Sequence, residues 1–439
     1  MKRQLTVYGL VLMAATLLCA QSVLPMVPVR SGDTSENPSV PFSELLMEAE
    51  AGNSQAQFNV ANAYSKGVGV AKDEAEALRW YLQSARQGFA PAQNRIGYLY
   101  ENGIGVPKDY TEAMRWFRNA VEQKLPVAQY NLGYMYENGE GAPVDYSRTV
   151  DLYRQAAAAG FALAQNGLGI AYINGRGVPM NATEAFNLFH LAAEQGLPLA
   201  KHNLATTYFE GRGTTRNYPE ALKWFTEAAN QGVAEAYRGL GIMYEFGHGV
   251  DRDILRAERL YREAAERGLV TAQMDLGYLY FAGKGVKQDY LEAAKWFRRA
   301  AEQGNPVGEN VIGYMYCEGE GVKHDYREGA EWLQKAAQQN NADAQASLGF
   351  LYQSGLGVPL NYSEAYKWLK LAADGGQKAS KRALNSLKEI MTATQLRDAQ
   401  ARVSAWLAHH KNLELEDRKG RAYDVQSYTS ASRPVESSD

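Results

Sequence analysis

The sequence predicts an all-α protein, an α/α solenoid of nine 36-residue helix-turn-helix repeats closed by capping helices. Three observations predict it. Tyrosine recurs every 36 residues without an insertion, at Tyr64, Tyr100, Tyr136, Tyr172, Tyr208, Tyr244, Tyr280, Tyr316 and Tyr352. Two glycines keep step with each tyrosine, from Gly67 and Gly69 to Gly355 and Gly357. Apolar residues within a unit follow a helical period, as Leu132 and Tyr136, four apart, share one face. A fixed period of roughly 20 to 50 residues is the mark of stacked repeats.

The chain starts with a leader. Residues 1–22 carry Lys2 and Arg3, then an apolar run from Leu5 to Leu18, too short to span a bilayer. Ala20 and Ser22 place small residues for cleavage, so a signal peptide is expected; Leu18 disfavours a lipid anchor on Cys19. Residues 23–40 are Pro-rich and aperiodic and read as a linker. Residues 41–55 match the second half of a unit and read as an N-terminal capping half-repeat.

The nine repeats occupy residues 56–379, and each reads as two helices. Places are counted from Ala56 as the first. Glycine in mid-helix costs about 1 kcal/mol against alanine. Its recurrence at place 6 (Gly97, Gly133, Gly169, Gly241, Gly277, Gly313, Gly349) predicts close approach of a neighbouring helix. The G-x-G stretch should end the first helix, and Asp or Asn at 73, 109 and every 36 residues thereafter should cap the second. Glu76, Glu112, Glu184, Glu220, Glu292 and Glu364 follow three residues after such a cap, the spacing of a capping box. Glycine then stops the second helix, as at Gly304; Lys124 and Asn340 stand in its place, and Lys124 predicts an altered turn. A lone helix pair buries one face only, so the units must stack.

Residues 380–410 read as C-terminal capping helices, with Leu384 in phase and Thr392 with Gln395 forming a further capping box. Residues 411–439, polar and Ser-rich, read as a disordered tail.

Ala272 to Gly304 reads AQMDLGYLYFAGKGVKQDYLEAAKWFRRAAEQG, which resembles the Sel-1-like repeat, a tetratricopeptide-like family, in its exported bacterial form. The resemblance covers all nine units. It implies a right-handed solenoid that acts as an adaptor or scaffold, with the first helices lining the concave side. The expected partner is a protein or peptide held there, with the protein a periplasmic or secreted monomer.

On that basis places 3, 7 and 10 of the first helix form the candidate partner stripe. It comprises Tyr98, Tyr134, Ile170, Phe209, Ile242, Tyr278, Phe281, Tyr314 and Phe350, with Asn94, Asn166 and Arg238 as polar contacts. Aromatic residues on a stripe that should be polar point to an interaction groove. The competing reading is that these rings pack against the adjacent helix.

Other classes fit poorly. With 46 Lys+Arg against 49 Asp+Glu, no basic field gathers phosphates, so no nucleic-acid partner is expected. Two cysteines build neither a disulfide framework nor a thiolate zinc cluster, and no H-E-x-x-H pair occurs, so neither metal nor cofactor is expected. No Ser-x-x-Lys supports a β-lactamase-like hydrolase, and Glu318 and Glu320 beside Cys317 would raise rather than lower its thiol pKa. No catalytic residue is expected. The nearer alternative is a surface or secreted effector that binds a host protein such as secretory immunoglobulin A. Asn181 and Asn361 match glycosylation sequons, but the cap position explains both.

Overall fold

The computed structural model describes residues 41–420; the expected leader, linker and last residues of the tail lie outside them. Its elements are helices, and among the described residues there is no strand. The contacts divide these residues into two units, 41–217 and 218–420.

The first unit opens with α1 (Phe42–Glu50), α2 (Ser54–Lys66) and α3 (Glu74–Arg86), and continues with α4 (Ala90–Asn102) and α5 (Tyr110–Glu122). It is completed by α6 (Pro126–Asn138), α7 (Tyr146–Ala158), α8 (Ala162–Asn174), α9 (Ala182–Glu194) and α10 (Pro198–Glu210). The second unit holds α11 (Tyr218–Asn230), α12 (Ala234–Phe246), α13 (Ile254–Glu266), α14 (Val270–Ala282) and α15 (Tyr290–Glu302). After them come α16 (Pro306–Glu318), α17 (Tyr326–Gln338), α18 (Ala342–Ser354), α19 (Tyr362–Asp374), α20 (Lys378–Ile390) and α21 (Ala393–Gly420). Within each unit successive helices pack in tandem, the arrangement of an α/α solenoid.

The mid-helix glycines mark close approach, as expected. A Cβ on Gly97 would lie 2.7 Å from the Phe117 ring, and one on Gly133 would lie 2.8 Å from the Tyr153 ring. Both rings are buried, so α4 and α5, like α6 and α7, touch through a backbone-to-ring contact. The residue before the place-26 side chain also joins the core shared with the preceding pair: Trp116 packs with Trp80, Ile96 and Leu99, and Trp332 with Phe297, Ile312 and Met315.

The link between the two helices of a repeat is held from both ends. Gly139 ends α6 at φ 71°, and the Asp145 carboxylate accepts from the Arg148 amide at the start of α7. The expected capping boxes do not close, however. The amide that Glu76 would have accepted, that of Asp73, donates to the Tyr64 carbonyl at 3.0 Å. The same bond recurs from Asp109 to Tyr100 and from Asp289 to Tyr280. With that donor taken, the glutamate turns to the basic residue three places on, as Glu76 does to Arg79 at 2.7 Å. The signature tyrosine therefore contributes its backbone as well as its ring.

Lys124 differs from expectation too. It adopts φ 59°, the left-handed conformation that glycine takes elsewhere, and Asn340 adopts φ 65°. Leu125 N–H still reaches the Ala120 carbonyl at 3.3 Å, as Asn305 N–H reaches that of Ala300 at 3.1 Å. The left-handed penalty of about 1–2 kcal/mol is thus borne while the turn keeps its shape.

Both ends are sealed. In the first unit Phe42 meets Tyr64 edge-on at 5.5 Å, and Ala49 is buried beneath α2. In the second, the Thr392–Gln395 box does form: the Gln395 amide donates to Thr392 Oγ1 at 3.2 Å, and the Thr392 amide to Gln395 Oε1 at 2.9 Å. α21 then lays Ala399 and Val403 into the last core, where Arg402 pairs with Glu364 at 2.7 Å. The helix runs to Gly420, ten residues into the segment read as a disordered tail.

Candidate functional site

The proposed stripe lies on the first helices, and its members fall into two groups. The place-3 residues are engaged within the chain. Asn94 Oδ1 accepts from Asn131 at 2.9 Å, and Asn166 Oδ1 accepts from Asn203 at 2.8 Å. Arg238 pairs with Asp275 at 2.5 Å. In each case the partner sits 37 residues on, at place 4 of the next repeat, so these side chains tie one first helix to the following one. Nothing in a single repeat shows that bond.

The ring and aliphatic positions are half-buried. Tyr278 meets Phe297 edge-on at 4.9 Å, and burial pushes its phenol up to about 12. Phe281 lies against Tyr290 at 5.2 Å, and Ile242 packs on the core around Tyr261. Tyr98 sits under the Arg95 guanidinium, 5.3 Å from its ring centre. The Tyr134 ring centre lies 6.5 Å from that of Tyr130. Ile170, Phe209 and Tyr314 are half-buried, and Phe350 is 37% exposed. Packing thus accounts for Tyr278, Phe281 and Ile242, whereas Tyr134 and Tyr314 are partly exposed and Phe350 is exposed.

A second series of inter-repeat ties involves glutamine. Gln93 Nε2 donates to the Ala85 carbonyl at 3.3 Å, and its Oε1 accepts from Gln123 at 2.8 Å. Gln165 bonds Ala157 and Gln195 in the same way, and Gln273 bonds Ala265 and Gln303. The recurring A-Q and E-Q-G of the repeat carry this signal, which periodicity of apolar residues misses. The amides satisfy buried carbonyls where helices of adjoining pairs meet.

Three place-10 positions carry carboxyls, Glu101 buried and Glu137 and Glu245 half-buried. Glu137 accepts from Tyr153 Oη at 2.8 Å and Glu245 from Tyr261 Oη at 2.6 Å. Glu101 is 3% exposed, and neither of its oxygens has a hydrogen-bond partner. Burial, and then the charge of Glu140, push it up to about 8, with Lys108 opposing. A carboxyl whose folded value is raised binds more protons folded than unfolded, so it destabilises as pH rises from about 4.5 to 8. Glu101→Gln is therefore expected to remove a slope of at most about 1.4 kcal/mol per pH unit across that window. Urea denaturation of both proteins at acid, neutral and mildly alkaline pH measures it.

Cys317 is buried, and burial first, then Glu318 and Asp325, push its thiol up to about 12, a setting for packing and not for nucleophilic attack. Among the described residues no group of three His, Cys, Asp or Glu is placed to hold a metal ion. No described helix is long and apolar enough to cross a membrane. A depression on the second helices, lined by Arg262, Glu266, Lys295 and Arg299, mixes both charges and lies away from the stripe residues.

Tandem helix pairs tied by amide ladders, with half-buried rings along the first helices, define a repeat scaffold of the solenoid class. The chain belongs to the Sel1 repeat family, whose model matches nine consecutive segments over residues 54–377, each two residues ahead of the unit counted from Ala56. The crystal structure of a Sel1 repeat protein from Oxalobacter formigenes is 34% identical, covering 70% of this chain and 89% of that one, with a TM-score of 0.55. A protective antigen of uropathogenic Escherichia coli with an SLR fold is 28% identical, covering 91% of this chain and 100% of that one, with a TM-score of 0.41. Comparison with curated proteins returned no match. Sel1 and tetratricopeptide-like repeats are in general protein-interaction modules.

Proposed function

We propose that this chain is a non-enzymatic protein-binding scaffold of the bacterial envelope or the secreted space. It is exported by its leader, acts as a monomer, and grips a protein or peptide along the first helices. The observation that carries this reading is the surface left at Tyr134, Tyr314 and Phe350, three rings at one place of the repeat. A core ring would be covered and a purely solvated stripe would be polar; half-buried aromatics are the anchors from which interfaces are built.

Crosslinking in the native envelope, followed by purification of the tagged chain, identifies the partner. The triple variant Tyr134→Ser/Tyr314→Ser/Phe350→Ser is expected to lower capture about tenfold or more with its melting unchanged. Tyr278→Ser/Phe281→Ser, at rings packed on Phe297, is expected to lower melting instead. Full capture by the folded triple variant would remove the first-helix face from consideration.

A further inference from the structure

In several repeats the place-10 side chain of the first helix and the place-26 residue of the same repeat match in polarity, although Gln353 and Leu369 of the ninth do not. Glu137 and Glu245 have Tyr153 and Tyr261, whose hydroxyls donate to them. Phe281 has the Phe297 ring, 6.4 Å away, and Ile173 and Cys317 have Phe189 and Leu333 at the same spacing. The second repeat breaks the match with an acidic side chain. Glu101 has Phe117 at that spacing, and a phenyl ring donates nothing.

The result is a carboxyl, nine-tenths and more buried, with both oxygens unbonded. Glu140, from the G-x-G link of the next repeat, adds a second carboxyl whose Oε2 is also buried and unbonded, and each bears on Lys108. Lys108 is itself drawn over the Tyr110 ring, 4.5 Å from its centre. The phenol of Tyr134, a stripe residue, lies within the field of both carboxyls.

We propose that Glu101 and Glu140 form a recognition site for one basic side chain, a lysine ammonium or an arginine guanidinium, of the partner bound along the first helices. The assignment rests on the scaffold reading above and names the chemistry it would select. Two acceptors from adjoining repeats suit an ammonium or a guanidinium fork. A divalent ion needs about six oxygens, and no third acidic, His or Cys ligand joins the pair among the described residues. Neighbouring tyrosine rings offer faces that also favour a cation.

The site has a signature in pH. Glu101 is protonated at neutral pH in the free chain, since its carboxyl is pushed up to about 8. The groups around it are Lys108 and Tyr110 at the entry to α5, Tyr130 and Tyr134 on α6, and Glu140 in the following link. A bound cation expels the proton, so affinity rises with pH up to that value and levels off above it.

Titration calorimetry on the full chain tests this with acetyl-Gly-Lys-Gly-amide, acetyl-Gly-Arg-Gly-amide, the matched norleucine tripeptide and calcium chloride. The lysine or arginine peptide is expected to bind about tenfold or more tighter than norleucine, and tighter at about pH 8.5 than at about pH 6.5. Glu101→Gln should abolish that preference. Phe117→Tyr should weaken it about tenfold while keeping the carboxyl, because a hydroxyl there engages Glu101 as Tyr153 engages Glu137. Gly97 leaves over Phe117 the same room that Gly133 leaves over Tyr153, so that variant folds. Equal or absent binding of all three peptides overturns the site, as does calcium binding lost in Glu101→Gln. Either result leaves partner capture by the Tyr134, Tyr314 and Phe350 rings to be judged on its own experiment.

Discussion

Replacing Gly277 with valine is expected to destabilise the second unit by about 3 kcal/mol. A Cβ at this position would stand 2.7 Å from Phe297 Cε1 and 2.8 Å from its Cδ1. The ring cannot swing aside, because it is fully buried and held by Tyr278 and Phe281. Helix propensity acts in the opposite sense, since leaving glycine gains about 1 kcal/mol at most. The overlap therefore wins, and it wins by more for valine than for alanine. Ala61 occupies the equivalent place of the first repeat beside Tyr81, so one methyl is accommodated where the helix pair adjusts. Urea melts followed by tryptophan fluorescence, with Trp296 adjacent to the site, measure the loss. A valine variant that unfolds with the wild type would show that the helices are not held at this distance.

The second large effect is expected from Arg238→Met. Asp275 faces Arg238 at 2.5 Å, and both side chains are about 15% exposed or less. Burial raises the Asp275 carboxyl above its usual range, and the Arg238 guanidinium is what opposes that rise. Removing the guanidinium leaves a buried charge without a counterion, a loss of about 3–5 kcal/mol. The sign with pH follows from the raised carboxyl. Folded Asp275 then holds its proton more tightly than unfolded Asp275, so the variant regains stability as pH falls through the folded value. Arg238→Met/Asp275→Leu should recover most of the loss at neutral pH, since an apolar pair of similar volume replaces a buried ion pair at little cost. Denaturation of both variants at pH about 5 and about 7.5 distinguishes this from simple loss of packing. If the single variant is equally weak at both, the charge is not the cause.

Most of the fold is legible because each packing requirement is local and repeated. Gly97 before a ring at Phe117, Gly139 at a helix end and Asp145 at the next start each state their own geometry, and 36-residue spacing states that the geometry recurs. The Thr392–Gln395 box was legible for the same reason: donor and acceptor are three residues apart. What escaped lies between repeats or across the link. Glu76 has capping-box spacing, yet Asp73 N–H already has the Tyr64 carbonyl nine residues earlier, an acceptor that no side-chain pattern announces. Asn94 reads as a free polar contact because its partner, Asn131, is 37 residues away. Lys124 reads as a disturbed turn because propensity disfavours it, but the surrounding hydrogen bonds outweigh that preference. The segment from 411 is polar in composition, and composition alone does not separate a helical extension from a disordered chain. As for the stripe, spacing identifies its rings but not how deeply each one sinks; only the contacts of Tyr278 with Phe297 separate a packed ring from an available one.

The bond from each cap amide back to its tyrosine carbonyl has a consequence for how such a chain can change its length. It closes a ring of fixed size around the G-x-G link, and in several repeats the loop glycine inside is pressed against backbone: a Cβ on Gly321 would collide with the Tyr290 carbonyl. One added or deleted residue there would open the ring and turn the following helix out of register. Growth or shortening is then confined to whole modules, so the array lengthens in steps of one helix pair.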